Sequence, residues 1–278
     1  MSLFFGDNYN FLYQKDYVTL GHSINMNKRL RLGTTLGVAR RHGLSNNTDF
    51  TVFRKSHIKP NIYPDGRFDK TFYGLSISYS PFFDFPLTDG IKTYDRRRFP
   101  IFHLEYEEGF SSWQTNNSKY RKIKGGIMHN IRINYFNRLD YKIEAGSFIG
   151  GAKDKIHFAD YQHFGASDLL INLNSLYDSF LLADNYELQT NRYWVNLSLN
   201  YSGRYVLFKR LSFFQGNSFS ENLHFRTLYI PDIELYTELG YSVGLTRSIG
   251  IGAFVAFHNE KYKSLGVRFS LNLSSLNF

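Results

Sequence analysis

Apolar and polar residues alternate strictly in many stretches of the chain. Because successive side chains of a β-strand point to opposite faces of a sheet, this alternation predicts strands with one apolar and one polar face. The last stretch has Val267, Phe269, Leu271 and Leu273 at its apolar positions, and Arg268, Ser270 and Asn272 between them. The other stretches lie at 29–38, 73–80, 102–107, 127–135, 141–149, 193–202, 235–246 and 249–258.

The pattern predicts an all-β protein, because helical spacing is weak throughout. The best helix candidate, residues 168–186, is interrupted by Asn, Ser and Asp. We count about twelve strands, and single-chain bacterial barrels close with even numbers. Short turns are predicted at 26–28, 136–138 and 246–248, and long polar connections at 40–70, 82–99, 111–120 and 150–191. Short turns on one side and long loops on the other are typical of an antiparallel transmembrane β-barrel.

Three features favour lipid rather than a protein core against the apolar face. The strands are about ten residues long, as a bilayer requires, whereas typical soluble strands have about 5–6. Aromatic residues make up 18% of the chain and recur at strand ends, where membrane barrels carry aromatic girdles. The polar positions mix Gly, Ser, Asn, Arg, Glu and His, which suit a wet interior. A large soluble β-sandwich or an open twisted sheet is the alternative.

Three segments carry a resemblance to a known family. They read FADYQHFG (158–165), FLLADNYELQTNRYWVNLSLNYSG (180–203) and NLHFRTLYIPDIELYTELGYSVG (222–244). They resemble the C-terminal β-barrel of Bacteroidetes outer-membrane proteins of unassigned function, in which a carboxypeptidase-regulatory-like domain precedes the barrel. That barrel is distantly similar to the outer-membrane assembly and two-partner-secretion superfamily.

The resemblance implies one barrel domain over residues 1–278, in the outer membrane of a Gram-negative bacterium. It also implies that the chain is the C-terminal part of a longer protein, since residues 1–13 lack the features of a signal peptide. Residues 150–191 correspond to a loop that folds into the lumen in the assembly superfamily, so we expect a lumen plug there. The arginine-glycine-aromatic tip of that superfamily is missing, and His163, Phe164 and Gly165 stand in its place. A shared fold therefore does not imply the assembly activity.

Candidate chemistry is sparse. His103, Glu105 and Glu107 lie on one face of a strand, as metal ligands would, although a hydrogen-bonded polar lining is the favoured interpretation. Asp160, His163 and Ser167 supply the residue types of a catalytic triad within one loop, but spacing alone establishes no geometry. We predict no catalytic residues, no cofactor and no metal. The predicted lumen-facing or loop functional residues are His103, Glu105, Arg132, Asp160, His163 and Arg268.

The net charge of +9 admits nucleic acid or a membrane surface as a partner. Nucleic-acid binding requires a basic face with stacking aromatics, whereas the basic clusters here lie near strand ends and loops. The membrane explanation is simpler, because basic residues at the rim meet anionic lipid headgroups and lipopolysaccharide phosphates. Basic lumen residues are expected to pair with Glu105, Glu107, Glu144 and Glu238. The expected partners are outer-membrane lipid, lipopolysaccharide and a protein partner or cargo, and no nucleic acid.

These observations lead to an integral outer-membrane β-barrel without enzymatic activity, with a role in transport, translocation or outer-membrane assembly. Two alternatives stay open. One is a lipid-modifying enzyme of the phospholipase or deacylase type, and the other is a surface scaffold whose long loops bind a partner.

Overall fold

The computed structural model of the chain describes residues 12–27, 29–44, 67–81, 87–88, 91–92, 99–110, 118–150, 156–167, 169–172, 176–177, 179–204, 206–207, 219–244 and 249–271. A 12-stranded sheet dominates this part of the chain. The all-β prediction and the strand count are thus confirmed, although one of the twelve strands has only two residues.

The strands, in chain order, are β1 (Tyr13–Asn25), β2 (Leu30–Gly43), β3 (Arg67–Tyr79), β4 (Leu87–Thr88), β5 (Ile91–Lys92), β6 (Ile101–Gly109), β7 (Tyr120–Arg132), β8 (Arg138–Phe148), β9 (Gln162–His163), β10 (Ile171–Asn172), β11 (Gln189–Thr190), β12 (Tyr193–Gly203), β13 (Ser220–Ile230), β14 (Glu234–Gly244), β15 (Ile249–His258) and β16 (Lys261–Leu271). The large sheet has the order β1-β2-β3-β6-β7-β8-β12-β13-β14-β15-β16-β10. All its pairs are antiparallel except the last, in which β10 runs parallel to β16.

One face of the sheet is apolar and exposed from edge to edge. The register aligns the alternating apolar positions across each strand pair: Leu20 with Leu36, Leu36 with Tyr73, Ile77 with Leu104, Phe102 with Ile127, Ile127 with Ile143, Ile143 with Leu197, Leu239 with Val255 and Ile251 with Phe269. Many of these side chains remain largely open to solvent. The predicted alternation is therefore confirmed, and it produces a continuous apolar surface rather than isolated exposed residues.

The opposite, polar face is partly covered by the described residues of the connection 150–191, which we call the covering segment. This segment connects β8 to β12 and includes β9, β10, β11 and a short 3-10 helix, Phe158–Asp160. The main cluster of buried apolar residues lies where the covering segment meets the polar face: Leu181 and Leu188 of the segment are fully buried there, together with Leu228 and Ile230 of β13. The protein core is thus formed by a loop against a sheet.

In the described part of the chain the sheet is not closed by pairing of β1 with β16, so the predicted barrel is not confirmed. Residues 171–172 of β10 pair with Phe269 and Ser270 of β16 instead. Within the described ranges, β1 has β2 as its one neighbour in the sheet. Because the long strands alternate in direction, β1 and β16 run the same way, and direct pairing between them would be parallel. An antiparallel barrel requires one further strand between them, running opposite to both.

The connections do not divide cleanly into short turns at one end and long loops at the other, contrary to prediction. Consecutive connections lie at alternate ends of an antiparallel sheet. We call the end that carries connections 26–29, 80–100, 133–137, 204–219 and 245–248 the upper end. The lower end carries 44–66, 110–119, 149–192, 231–233 and 259–260. The longest connection lies at the lower end, but so do the two shortest.

The weak helical signal at residues 168–186 does not produce a helix where the structure describes that region. That region contains turns and the short strand β10. A bridge joins Phe180 within it to Ala166 just before it. Within the described residues, no helix has the length and apolar character needed to cross a bilayer.

Candidate functional site

The polar face and the covering segment together form the candidate site. Aromatic packing fixes the segment near the lower end, where Phe164 lies edge-on to Trp194 of β12, with ring centroids 6.2 Å apart. Phe180 lies edge-on to Tyr236 of β14 at 5.5 Å. Gly146 of β8 makes room for the indole of Trp194, because a Cβ at residue 146 would lie 2.2 Å from it.

Glu238 of β14 anchors the middle of the covering segment. Its side chain is buried and accepts hydrogen bonds from the backbone N–H groups of Leu181 (2.8 Å) and Leu182 (2.9 Å). The hydroxyl of Tyr236 donates a third, at 2.8 Å. The prediction paired Glu238 with a basic residue, but the carboxylate instead satisfies two amides that would otherwise be buried without acceptors. Hydrogen bonds to an ionised acceptor are about twice as strong as neutral ones.

Two arginines of the polar face hold carbonyl groups of the same segment. Arg226 of β13 donates to the Leu176 oxygen at 2.8 Å. Arg268 of β16 donates through Nε to the Leu181 oxygen at 2.7 Å. Residue 181 is therefore held at both its N–H and its C=O by side chains from two strands. The sequence placed Arg268 on the polar face, and the structure shows that it binds the covering segment there.

Asp160 joins the covering segment to the lower rim of the sheet. Its carboxylate accepts two hydrogen bonds from Arg41 of β2, at 3.1 and 2.7 Å, and lies 3.2 Å from Nζ of Lys70 of β3. Both Asp160 and Arg41 are buried. Burial by itself would raise the pKa of Asp160, but the charges of Lys70 and Arg41 outweigh it, and the pKa lies below its ordinary value. The carboxylate is therefore ionised at neutral pH.

Two histidines of the covering segment are neutral at physiological pH. Burial and the neighbouring charge of Arg41 lower the pKa of His157 to about 4. Burial also lowers the pKa of His163, whose Nε2 lies 2.9 Å from the Phe158 carbonyl oxygen. The His163 ring is held edge-on between Phe158 and Tyr186. Asp160 is thus bound to Arg41, and His163 is bound to a backbone carbonyl of the same segment.

The carboxylates near His103 pair with cations rather than with one another. Nζ of Lys124 lies 3.0 Å from Glu105, and Nζ of Lys70 lies 3.1 Å from Glu107. His103 lies 3.6 Å from Glu144 of β8. No group of three or more potential metal ligands occurs in the part of the chain that the structure describes. The predicted pairing of glutamates with basic residues holds here, and the arrangement is an ion-paired lining.

Arg132 lies apart from these contacts, at the upper end of β7. It is exposed and lines a cavity of about 850 Å³ there. A second cavity, of about 460 Å³, lies between the polar face and the covering segment and is lined by residues of both, among them Asn196, Asn200 and His163. Tyr177 borders both cavities, so they adjoin. The six predicted site residues are thus distributed over the polar face and the covering segment rather than gathered in one centre.

The comparison with known proteins settles the family. Residues 1–243 match the family described as "Family of unknown function (DUF5686) C-terminal domain". The chain belongs to this DUF5686 C-terminal domain family. The matched region ends within β14, and the sheet continues beyond it through β15 and β16. No protein with a curated description matches the chain.

The sequence analysis did not single out several residues of the sheet that hold the covering segment. Arg41 and Lys70 hold Asp160, although 119 residues separate Arg41 from it along the chain. Arg226 was not singled out either. The sequence analysis placed Arg41 and Lys70 in the long polar connection 40–70, whereas the structure has them near the ends of β2 and β3. No local pattern marked them as partners of Asp160.

Proposed function

We propose that this DUF5686-family chain forms an integral outer-membrane β-barrel of a Gram-negative bacterium, without enzymatic activity, in which the covering segment acts as a plug that gates transport. The observation that carries the proposal is the continuous exposed apolar face, opposite a charged face covered by the chain itself. Soluble monomers rarely expose contiguous apolar patches larger than a few hundred Å². The lipid of a bilayer is a solvent for such a face, and the long strands match its thickness.

Closure is a further requirement of the proposal. In a bilayer every backbone N–H and C=O needs a partner, which an open sheet edge does not provide. We propose that one more strand, antiparallel to both β16 and β1, completes the barrel. Without the two-residue β10 the sheet has eleven long strands, so the total would then be twelve, an even number as in bacterial barrels.

A charge on the apolar face tests the membrane location. Ile143 lies in the middle of β8 and is exposed, and its neighbours across the strands are Ile127 and Leu197. We expect Ile143→Lys to reduce insertion into lipid vesicles severely, because a lysine facing the bilayer midplane costs about 2–4 kcal/mol. Insertion is measured by urea-resistant flotation and by protection from protease.

Tyr135→Lys, in the exposed upper turn between β7 and β8, is the matched control, and we expect it to insert normally. Normal insertion of both variants would contradict a lipid-facing apolar surface. A protein that is monomeric without detergent would contradict it as well.

The gating part of the proposal follows from how the covering segment is attached. It is held to the sheet by the Asp160 ion pairs and by the Glu238 hydrogen bonds. Substitution of either residue removes these polar contacts and leaves the apolar core residues unchanged. Beside it, the polar face of β1–β3 and β6–β8 lines a further cavity of about 640 Å³, with Arg31, Glu105 and Lys124 among its residues. A channel for polar solutes would run along these residues once the segment moves.

Conductance in planar bilayers tests gating. We expect the wild-type protein to show low, infrequent conductance, and the double variant Asp160→Asn, Glu238→Gln to open often and in larger steps. The control is Asp184→Asn, Glu234→Gln, which makes the same two changes at exposed positions of the same segment and the same strand. If hydrogen exchange shows the segment released in the double variant and conductance stays at the wild-type level, a plug function is wrong.

A further inference from the structure

The cavity at the upper end, which we call the cup, has a volume of about 850 Å³. Its walls come from the ends of β12 to β16, the turn between β7 and β8, and residues 176–177 of the covering segment. Such a volume lies within the range of small-molecule sites, about 300–1,000 Å³. The cup is open to the outside, so a ligand has access to it without moving the segment.

Hydroxyl and amide groups dominate the polar lining of the cup. They come from Ser202, Ser220, Ser242, Ser270, Asn134, Asn137 and Asn222. Glycines on neighbouring strands make room for two of the serines, since a Cβ at Gly244 would lie 2.4 Å from Oγ of Ser220, and one at Gly250 would lie 2.7 Å from Oγ of Ser270. These two hydroxyls therefore lie over glycines of the neighbouring strands rather than against side chains.

Two polar atoms of the lining are buried without a hydrogen-bond partner among the described residues. His224 is 5% exposed, and its Nε2 lies 2.8 Å from Oγ of Ser242, while its Nδ1 has no partner. Oδ1 of Asn137 is the other such atom. Buried polar groups in proteins nearly always find a partner, so both atoms are available to a polar ligand or to water.

The charges of the cup are positive. Among its described lining residues none is acidic, and Arg132 and Arg138 lie at its rim. Arg138 is partly neutralised by Asp140 at 2.9 Å, whereas Arg132 makes no ion pair within the described residues. The described residues of the upper-end connections include no acidic residue, and Arg29 and Arg204 are among them. The field at this end therefore favours an anion.

Aromatic side chains complete the cup. Tyr135 is 93% exposed at the rim, and its ring lies edge-on to that of Phe136 at 5.1 Å. Tyr177 of the covering segment lines the floor and is also exposed. Large amphipathic rings of this kind offer a flat apolar surface beside hydrogen-bonding groups.

From these features we infer that the cup binds an anionic, polyhydroxylated ligand of the sugar-phosphate class. Serine and asparagine groups match the hydroxyls of a sugar, the exposed rings match its apolar face, and Arg132 binds the phosphate. The same chemistry occurs in a soluble sugar phosphate and in the phosphorylated disaccharide headgroup of a glycolipid. Binding at the cup does not depend on whether the barrel conducts.

The test measures binding to the full chain in neutral detergent by calorimetry, with glucose 6-phosphate, glucose and inorganic phosphate as probes. We expect glucose 6-phosphate to bind more tightly than either of the others. Arg132→Gln should weaken its binding about tenfold or more, since it removes a charge-assisted hydrogen bond. Ser220→Leu, at an exposed strand end, should weaken it by filling the cup.

Arg192→Gln is the matched control, because Arg192 is an exposed arginine of the lower end, 3.6 Å from Asp232. Equal weakening by Arg132→Gln and Arg192→Gln would overturn the inference in favour of general charge attraction. Binding of inorganic phosphate as tight as that of glucose 6-phosphate would also overturn it, as would failure to bind both glucose 6-phosphate and lipid A.

Lipid competition separates the two sources of the ligand. Lipid A in mixed micelles should displace glucose 6-phosphate if a glycolipid headgroup is the ligand, while phosphatidylglycerol at equal charge should not. If lipid A fails to displace bound glucose 6-phosphate, the ligand is a soluble sugar phosphate, and the cup is still confirmed.

Discussion

Replacing Asp160 by asparagine is expected to detach the lower part of the covering segment. Asp160 accepts two hydrogen bonds from the buried Arg41 and lies 3.2 Å from Lys70, so Asp160→Asn leaves two cations without this carboxylate in a buried setting. Removing one partner of a buried ion pair costs about 3–5 kcal/mol. The lost stabilisation is measured by hydrogen exchange of peptides covering residues 156–165. We expect their amides to exchange at least about a hundredfold faster than in the wild type.

Asp184→Asn is the control, because Asp184 is exposed in the same segment, and its exchange should match the wild type. The acid dependence gives a second readout. The folded-state pKa of Asp160 is lowered, so its stabilisation is complete above the ordinary aspartate pKa of about 3.9 and is lost as the pH falls through the lowered value. The difference in exchange between wild type and Asp160→Asn should therefore be constant near neutral pH and vanish in strong acid. A difference that grows on acidification would contradict the ion pair.

Replacing Glu238 by glutamine is expected to free the middle of the covering segment. The carboxylate accepts from both the Leu181 and Leu182 amides, whereas the glutamine amide has one acceptor oxygen, so its NH₂ group would face a second N–H group. A buried donor left unsatisfied costs about 1–3 kcal/mol. We expect the exchange of the Leu181 and Leu182 amides to accelerate by about tenfold or more, with the sheet itself unaffected.

Glu234→Gln serves as the matched control, because Glu234 is an exposed glutamate at the start of the same strand. Protection of Leu181 and Leu182 equal to that of the wild type in Glu238→Gln would show that apolar packing alone holds the segment. In that case the core residues Phe180 and Leu188 would be the attachment, and the polar contacts would be incidental.

Alternation predicted the sheet correctly because it is a local property. The long strands from Leu30–Gly43 to Lys261–Leu271 show the period of two in their own sequences, and the register aligns their apolar residues across the sheet. The prediction of an antiparallel barrel is confirmed for the sheet and not confirmed for its closure. Closure depends on the direction of the first and last strands and on how many lie between, and β10 of the covering segment takes part of the edge of β16.

The sequence predicted some residues of the candidate site but not the groups that they bind. Asp160, His163 and Arg268 were selected because they are polar residues in a loop or on a polar face, and all three lie at the contact between segment and sheet. Their partners were not predicted. Glu238 binds backbone amides, and Arg226 and Arg268 bind backbone carbonyls, so no complementary side chain in the sequence marks these contacts.

The sequence by itself determined the strands and which side of each is apolar, because strand geometry fixes that relation within a few residues. The tertiary structure alone decided that the covering segment lies on the polar face, that Arg41 meets Asp160, and that the outermost long strands, β1 and β16, run in the same direction. These features depend on contacts between residues far apart in the chain. Burial and charge pairing stabilise those contacts, and no local sequence pattern encodes them.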